Sequence, residues 1–577
     1  MKKKLLPALI VTGLIILVVI IMGITALINK YTPTKKTEDL KEYFNISSDD
    51  EAALIVDNEL SDYKAKIIDK KIYVDYKFVH DSLNSRFYWD ANENVLLYTT
   101  ASDIISAAAD SNSYSVTKQT NDFGYPIVKA TSDSALIALD YVKQYSNITF
   151  KSYDDPARIV ITSKWDEIDS ATVSKSTQVR VKGGIKSPIL KEVKKDDKIT
   201  ILDSGDKWDK IATEDGVIGY IKRKALSESK KTKLTNPDYE EETFTHIKKD
   251  KDICLAWNQV TSQSANSKVP QVISSTKGIN VMSPTWFYLN DNNGNLADIA
   301  SKDYVSYCHS QGIEVWGLFS NLENTDVDAA YVLTHTSTRT TLINQIMSAA
   351  FNYELDGVNI DFENITEAAY GDSYIEFIRE LAIKCHNNGI SLSVDVTVPA
   401  SFNKFFNRSD MANFADYIVI MGYDEHYKGS DAGSVSSIPW VTEGVESTLK
   451  EVPADQIILG MPFYTRIWEL TPKEDDDAVT DTEDQSKYTV ASQVYSMDAA
   501  AAQLATNNAT AALDEESGQN YAEWSVSNKL YKVWLEDTTS LEKRLKLVDD
   551  NKLAGAAFWK LGFENSSVWD TVIKYLN

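Results

Sequence analysis

The chain has 577 residues, of which 43% are hydrophobic and 25% charged, and its formal net charge at pH 7 is −25. This length predicts about three or four domains. A strongly acidic chain disfavours nucleic acid and anionic membrane surfaces as partners, but it does not exclude a neutral polymer such as a glycan. The three cysteines, Cys254, Cys308 and Cys385, lie in apolar or helical contexts, which favours small buried side chains over a disulfide framework.

An apolar segment follows the N-terminal Met1-Lys2-Lys3-Lys4. Residues 5–28 form a run of 24 residues without a charge, which is long enough to span a bilayer. A cleaved signal peptide usually has an apolar core of only about 7–15 residues and a small-residue cleavage site. We therefore predict a transmembrane anchor at 5–28, with a cleaved signal as the alternative. The lysines place residues 1–4 in the cytoplasm, and both interpretations export the rest of the chain.

Residues 41–165 alternate between short strands and helices and contain a weak internal repeat. A strand is followed by Asn84, Phe87 and a second strand near 95–97, and the same order recurs about 63 residues later with Asn147 and Phe150. The segment contains no catalytic cluster. It loosely resembles the small repeat domain at the front of copper amine oxidases, which implies an α+β stalk that acts as a spacer.

Residues 171–228 predict a compact barrel of five short strands. The strands alternate in polarity and are separated by turns at Gly183-Gly184, Ser204-Gly205 and Asp215-Gly216. Trp208 and the ending Gly219-Tyr220-Ile221 resemble a bacterial SH3-like domain. The resemblance implies binding of cell-wall peptide; the alternative is a structural spacer whose Trp208 fills its own core.

A different pattern begins near residue 240 and continues to residue 577. Eight apolar segments predict buried strands, and helical patterns such as 341–351, 374–387 and 540–550 separate them. Strands that alternate with helices in this way predict a (β/α)8 barrel, and the long stretch 465–537 between the last two strands predicts an inserted α+β subdomain. The eight predicted strands are Ile253–Trp257, Ile279–Ser283, Glu314–Phe319, Gly357–Phe362, Ser391–Val396, Tyr417–Met421, Ile457–Met461 and Gly555–Trp559.

The fourth predicted strand carries the most informative motif, Asp356-Gly357-Val358-Asn359-Ile360-Asp361-Phe362-Glu363. Because strand side chains alternate between faces, Asn359, Asp361 and Glu363 point the same way. Two acids on one face are costly in a core unless they are well bonded or perform chemistry. Glu363 ends the strand, at the edge where parallel barrels build their active sites.

Polar and aromatic residues also follow the other predicted strands. Tyr423 and Asp424 follow the sixth strand, Tyr464 and Arg466 follow the seventh, and Trp559 ends the eighth. The six histidines show no metal-ligand spacing, and the chain has neither a nucleophile elbow nor a phosphate loop, so we predict no metal and no cofactor.

Residues 356–363 resemble the D-x-x-D-x-D-x-E signature of glycoside hydrolase family 18, and Met421-x-Tyr423-Asp424 is similar to that family's second motif. The resemblance covers residues 240–577. The family's middle aspartate is Asn359 here, which, together with Ser283–Phe287 and Tyr423–His426, resembles the spore-cortex and cell-wall lytic subgroup.

The resemblance implies substrate-assisted hydrolysis of a polymer that contains N-acetylglucosamine. Glu363 would protonate the glycosidic oxygen, Asp361 would orient the 2-acetamido group that attacks, and Tyr423 would donate to its carbonyl. Without a charge at Asn359, the Asp361–Glu363 pair is expected to share a proton alone. Substrate binding is implied for a further set of residues: Asn359, Asp424, Trp559, Tyr464, Arg466 and Trp286.

Several alternatives remain open at this stage. The target is peptidoglycan or, as a second choice, chitin and chitooligosaccharides. A catalytically silent glycan-binding protein on the same barrel is a rival, although such relatives typically lack the terminal acid that this chain keeps as Glu363. Arg466 could bind substrate or pair with an acid. Asp356 precedes the strand, so we expect it to hold a turn, and we expect His426 to make a hydrogen bond within its loop.

Overall fold

The computed structural model describes residues 5–365, 370–473 and 485–576. The predicted cytoplasmic tail at 1–4, residues 366 and 367 of the loop after Glu363, and part of the predicted insertion lie outside these described residues. The chain divides into two compact units. The first comprises residues 1–87, 107–113 and 122–241, and the second comprises residues 88–106, 114–121 and 242–577.

A long apolar helix opens the first unit. It runs over Leu5–Tyr31, and its segment Pro7–Tyr31 is long and apolar enough to cross a membrane, with no part of it buried against protein. The elements after this helix include a five-stranded sheet, β4–β8. In chain order the elements are α2 (Leu40–Tyr43), β1 (Glu51–Val56), β2 (Glu59–Ile68), β3 (Lys71–Asp75), α3 (Tyr76–Ser82), β4 (Phe87–Asp90), β5 (Val95–Thr99), β6 (Ile104–Ala108), β7 (Ser113–Val116), β8 (Gln119–Asp122), β9 (Val128–Ala130), β10 (Ala135–Ala138), α4 (Leu139–Tyr145), β11 (Thr149–Tyr153) and β12 (Arg158–Thr162).

The predicted internal repeat corresponds to a repeated order of elements. A strand, a helix and two strands follow one another as β3-α3-β4-β5 and again as β10-α4-β11-β12. Strands β3 and β10 pair antiparallel in a seven-stranded sheet of order β11-β12-β1-β2-β3-β10-β9. The domain boundaries 41–165 stay a prediction, because residues 88–106 and 114–121 within them group with the second unit.

A second seven-stranded sheet follows in the first unit, in the order β15-β14-β18-β17-β16-β13-β19. One apolar core joins it to the preceding sheet, since Ala53 and Ile55 pack with Val179, Ile211 and Ile221. The strands are β13 (Glu167–Thr172), β14 (Thr177–Arg180), β15 (Ile189–Val193), β16 (Lys198–Asp203), β17 (Trp208–Thr213), β18 (Ile218–Lys222) and β19 (Lys230–Lys233).

Eight parallel strands close a barrel in the second unit, as the sequence predicts. Their order is β20-β33-β27-β26-β25-β24-β23-β21, and a β20–β21 pairing completes the ring. The barrel elements are β20 (Ile253–Asn258), α5 (Val269–Ile273), β21 (Val281–Leu289), β22 (Leu296–Asp298), α6 (Lys302–Ser310), β23 (Glu314–Ser320), α7 (Ala329–Thr334), α8 (Thr336–Tyr353), β24 (Gly357–Asp361), α9 (Gly371–His386), β25 (Ser391–Thr397), α10 (Arg408–Phe414), β26 (Tyr417–Met421), α11 (Ile438–Thr448), β27 (Ile457–Pro462), α13 (Thr538–Asn551), β33 (Gly555–Trp559) and α14 (Val568–Tyr575).

Two apolar layers follow from the alternation of side chains along these strands. One phase fills the barrel interior with Leu255, Trp257, Trp316, Val419 and their neighbours. The other phase packs against the helices and forms the largest core of the molecule. The three cysteines are buried in this unit, as predicted.

Helix α9, which follows the site-bearing strand β24, is buried on almost every side. Residues of the β4–β5 segment cover it: the Thr99 hydroxyl donates to Glu376 at 2.8 Å, and the Tyr88 hydroxyl lies 2.9 Å from that of Ser373. This contact explains why Ser373 and Glu376 are buried although both are polar.

The predicted α+β insertion is a five-stranded antiparallel sheet with one helix, between β27 and α13. Its strand order is β29-β28-β32-β31-β30. The elements are β28 (Tyr464–Pro472), β29 (Tyr488–Ser496), α12 (Met497–Thr506), β30 (Ala512–Asp514), β31 (Gln519–Val526) and β32 (Lys529–Leu535).

Candidate active site

The site is built from the carboxyl ends of β24 and β25. Asn359 pairs with Ser393 in the register of these parallel strands. Asp361 and Asp395 lie two residues further along their strands, so they are neighbours on the same inward-facing side. Adjacent strands lie about 4.8 Å apart. The register therefore brings two buried carboxyls together on the floor of the site.

Asn359 organises this floor from within the barrel. Its side-chain oxygen accepts hydrogen bonds from the indole N–H of Trp257 at 3.0 Å and from the Ser283 hydroxyl at 2.9 Å. Its amide nitrogen donates to the Ser393 hydroxyl at 3.1 Å and to Asp395 Oδ1 at 2.7 Å. Asn359 is 0% exposed and bonded to these protein groups, so the structure favours a positioning role, and its substrate-binding role stays a prediction.

Asp395 is a member of the carboxyl cluster that the sequence patterns did not indicate. The expectation that Asp361 and Glu363 share a proton alone is corrected by its presence, since a third carboxyl adjoins them. Burial raises the pKa of Asp395 well above its ordinary value, although the hydrogen bond from Asn359 opposes this, and the charge of Glu363 raises it further. The alternation of Ser391, Ser393 and Asp395 along the fifth strand was the available signal.

Asp361 lies at the end of β24 and is 8% exposed. Burial raises its pKa well above the ordinary value, and the charges of Asp395, Glu363 and Glu323 raise it further. Its Oδ1 atom is buried and has no hydrogen-bond partner among the residues that the structure describes. An unsatisfied buried acceptor is costly, so this atom is suited to receive a donor from a bound molecule.

Glu363 follows β24 and keeps an exposed side chain at the mouth of the barrel. The surrounding protein nevertheless displaces enough water to raise the pKa of its carboxyl, and the charges of Asp424 and Glu323 raise it further. A carboxyl with a raised pKa that remains accessible has the properties of a general acid. An apolar cavity of about 150 Å³ adjoins Glu363 and Asp395, with Phe362 and Met421 in its wall.

Tyr423 and Asp424 follow β26 on the neighbouring side of the site. Burial raises the pKa of the Tyr423 phenol well above its ordinary value, as do the charges of Asp361, Asp395 and Glu363, so the phenol remains a hydrogen-bond donor. Asp424 is exposed and adopts a left-handed backbone with φ of 60°. Aspartate tolerates this conformation better than most residues.

Tyr464 and Arg466 of β28 converge on Asp424. The Tyr464 hydroxyl donates to Asp424 Oδ1 at 2.5 Å, and Arg466 Nη2 lies 3.8 Å from the same oxygen. Tyr464 is 5% exposed, which leaves it little surface for substrate. These contacts favour a role in holding Asp424 for Tyr464, and they place Arg466 near the same acid; substrate binding by either residue stays a prediction.

The three tryptophans named from sequence occupy different layers. Trp559 is half-buried at the end of β33, and the centroid of its ring lies 5.9 Å from that of the buried Trp257. The centroids of the Trp257 and Tyr423 rings are 6.5 Å apart. Trp286 is 0% exposed, packs in the outer core and donates to Asn266 at 2.8 Å. This residue lies on the outward-facing side of β21, away from the carboxyl cluster, and its contact with substrate stays a prediction.

Two residues have the structural roles that the sequence favoured. Asp356 Oδ2 accepts a hydrogen bond from the Val315 backbone at 2.8 Å and lies 2.8 Å from His309 Nε2. His426 Nδ1 lies 2.8 Å from the Ser434 carbonyl oxygen within its own loop. Neither residue belongs to the carboxyl cluster.

Comparison with known proteins identifies this barrel. Residues 318–564 match the family model of glycosyl hydrolases family 18. An uncharacterized glycosylase, YvbX, of Bacillus subtilis (strain 168) is 24% identical over 302 residues, which are 49% of this chain and 81% of that protein.

Two further relatives match over less of their length. The cortical fragment-lytic enzyme of the same organism is 24% identical, over 48% of this chain and 63% of that protein. The probable di-N-acetylchitobiase 2 of Dictyostelium discoideum is 23% identical, over 38% of this chain and 66% of that protein. The chain thus spans less than two thirds of either relative.

Among solved structures, the spore cortex-lytic enzyme SleL of Bacillus megaterium QM B1551 has a TM-score of 0.49 at 19% identity, and the match covers 60% of this chain and 77% of that chain. The family match coincides with the strands that carry Asp361, Glu363, Tyr423 and Trp559. The matched residues 318–564 therefore form a glycoside hydrolase family 18 domain within the C-terminal barrel.

Proposed function

We propose that this protein is a membrane-anchored exported hydrolase that cleaves β-linked polymers of N-acetylglucosamine, with peptidoglycan as its target. The observation that carries this proposal is the accessible carboxyl of Glu363, whose pKa is raised beside the buried Asp361 and Asp395. A carboxyl that keeps its proton to higher pH than usual, at the mouth of a barrel, can donate that proton to a glycosidic oxygen.

The chemistry that fits this geometry is substrate-assisted. Glu363 protonates the oxygen of the scissile bond, and that bond breaks as the carbonyl oxygen of the sugar's own 2-acetamido group attacks the anomeric carbon. Tyr423 donates a hydrogen bond to the acetamido oxygen. The unpartnered Oδ1 of Asp361 receives the acetamido N–H, which orients the group and satisfies a buried acceptor.

Asp395 completes this proposal as a positioning residue. Burial and the charge of Asp395 raise the pKa of Asp361, so the protonated form of Asp361 is favoured in the free site. As positive charge develops on the sugar, an ionised Asp361 is favoured electrostatically. Asn359 fixes Asp395 by its hydrogen bond at 2.7 Å.

Peptidoglycan is favoured as the target by features outside the carboxyl cluster. The apolar helix Leu5–Tyr31 provides an anchor at the surface of the producing cell. Trp208, in the predicted SH3-like sheet, is only half-buried and lies outside its apolar core, with Lys222 Nζ 5.7 Å from the ring. A relative is named a cortical fragment-lytic enzyme. Chitooligosaccharides are the second candidate, favoured by the relative named a di-N-acetylchitobiase.

The test is digestion by the full chain in detergent solution, with mass spectrometry of the products. Purified peptidoglycan and chitooligosaccharides serve as parallel substrates, and an oxazoline-type analogue of the intermediate serves as inhibitor. We expect products that end in N-acetylglucosamine at the new reducing end, with faster release from peptidoglycan, and we expect the analogue to inhibit. Faster cleavage of chitooligosaccharides would move the target to the second candidate, and no cleavage of either polymer would refute the proposal.

A further inference from the structure

The sheet of the insertion has two faces with different roles. Side chains alternate along β28, and its pairing with β29 is regular throughout. Arg466 lies on the face that contacts Asp424, whereas Ile467 and Glu469 lie on the opposite face. That opposite face is outside the catalytic machinery described above.

A groove of about 460 Å³ runs across this opposite face, which is within the range of ligand-binding clefts. A cross-strand row lies along it: Glu469 pairs with Tyr531, and Tyr531 pairs with Trp524. The rings of Trp524 and Tyr531 are parallel within 8°, with centroids 5.5 Å apart. Both side chains are half-buried, so their rings contribute to the groove surface.

Uncharged amides face these aromatic rings from the other side of the groove. Gln493 lies on β29 and Gln503 lies on α12, and Asn507 is the C-cap residue of α12. Amide side chains both donate and accept hydrogen bonds, which matches the hydroxyl groups of a sugar. Tyr495 adds a third aromatic ring.

The one acid that lines the groove is neutralised. Glu469 accepts from Lys529 Nζ at 2.5 Å and from the Tyr531 hydroxyl at 2.7 Å. The groove therefore offers aromatic surface and amides without a net charge, which is complementary to a neutral polymer and not to a polyanion or polycation.

We propose that this groove binds a neutral segment of a β-linked polysaccharide, at a second site separate from the one that cleaves. The proposal rests on the proposed function in one respect, namely that the bound segment belongs to the polymer being hydrolysed. A second site on the same subdomain holds an insoluble polymer near the barrel and raises its effective concentration at the acid.

The test compares Trp524→Ala with Leu513→Ala in the full chain in detergent solution. Leu513 is 44% exposed on β30 of the same sheet and does not line the groove, so it is the matched control. Two quantities are measured: retention on insoluble peptidoglycan glycan strands and on insoluble chitin, and kcat/KM on a short soluble chitooligosaccharide.

We expect Trp524→Ala to lower retention about fivefold or more, because buried aromatic contacts dominate binding sites. Its kcat/KM on the short substrate stays within about twofold of the unmodified chain. Leu513→Ala leaves both quantities unchanged. Equal retention of the two variants overturns the proposal, and so does a parallel loss of retention and soluble turnover. If the unmodified chain is retained but cleaves nothing, the proposed hydrolase function is wrong. The ratio of retention between Trp524→Ala and Leu513→Ala then still shows whether the groove binds the polymer.

Discussion

At the scale of single residues, the proposed catalysis depends on which of three carboxyls hold protons. Asp361, Asp395 and Glu363 all have raised pKa values because burial and the charges of nearby carboxyls disfavour their ionised forms. The acid role of Glu363 and the orienting role of Asp361 require opposite protonation states during the reaction. A bell-shaped pH profile of kcat/KM is therefore expected.

Asp395→Asn tests the positioning role by its effect on the acidic limb of that profile. The asparagine keeps the shape of the side chain and an oxygen for the Asn359 hydrogen bond, but it removes the charge that raises the pKa of Asp361. Asp361 then ionises at lower pH, so the acidic limb of kcat/KM moves to lower pH. Ser393→Ala, which alters the same network without removing a charge, is the control. An unmoved acidic limb in Asp395→Asn would contradict the role.

Glu323→Gln tests the alkaline limb. Glu323 is exposed and raises the pKa of Glu363 through its charge. Removing that charge lowers the pKa of Glu363, so the catalytic proton is lost at lower pH. The alkaline limb of the kcat/KM profile therefore moves to lower pH. Glu425→Gln, in the loop after β26 and absent from the groups that act on Glu363, provides a comparison. A shift to higher pH, or no shift, would contradict the acid assignment.

At the scale of the element, sequence patterns predicted the barrel strands well because inward and outward residues alternate. The observed strands Tyr417–Met421 and Gly555–Trp559 agree with the predicted bounds, and β21 extends from Val281 to Leu289, beyond its predicted end. The pattern could not place Asp395 in the site, because its meeting with Asp361 depends on the pairing of β24 with β25. The prediction for Trp286 took an aromatic residue near a strand end without assigning the face of the strand on which it lies, and the structure buries this residue in the outer core.

The contact of the β4–β5 segment with α9 provides a test at this scale. Thr99→Val keeps the shape of the side chain but removes the 2.8 Å hydrogen bond to the buried Glu376. An unpaired buried acceptor lowers the free energy of unfolding by about 1–3 kcal/mol. Chemical denaturation followed by tryptophan fluorescence measures this change, with the exposed Thr117→Val as control. Equal stability of the two variants would exclude a stabilising role for this contact, and kcat on short substrates should change in neither.

At the scale of the whole molecule, the N-terminal sheets limit how targeting can be tested. Deletion of 171–228 would expose Ala53 and Ile55 of the preceding sheet, because the two sheets share one core. The SH3-like interpretation of 171–228 stays a prediction, and a point substitution is the appropriate probe. Trp208 is suitable because it is half-buried and lies outside that core.

Trp208→Ala tests whether wall peptide is bound. Retention on peptidoglycan that carries its peptides should fall about fivefold or more, because an accessible aromatic residue is lost, while retention on peptide-free glycan strands stays constant. Leu202→Ala, at an exposed position of the same sheet, is the control. Unchanged retention on peptide-bearing wall would favour the structural spacer instead.

The turnover of Glu363→Gln tests whether this carboxyl delivers the proton to the scissile bond. We predict a loss of about 10²–10⁴-fold in kcat on a natural oligosaccharide, because the proton donor is removed. The loss should be much smaller on a glycoside whose leaving group needs no proton, and substrate binding should be largely kept. Near-normal hydrolysis of the natural oligosaccharide by Glu363→Gln would contradict the account.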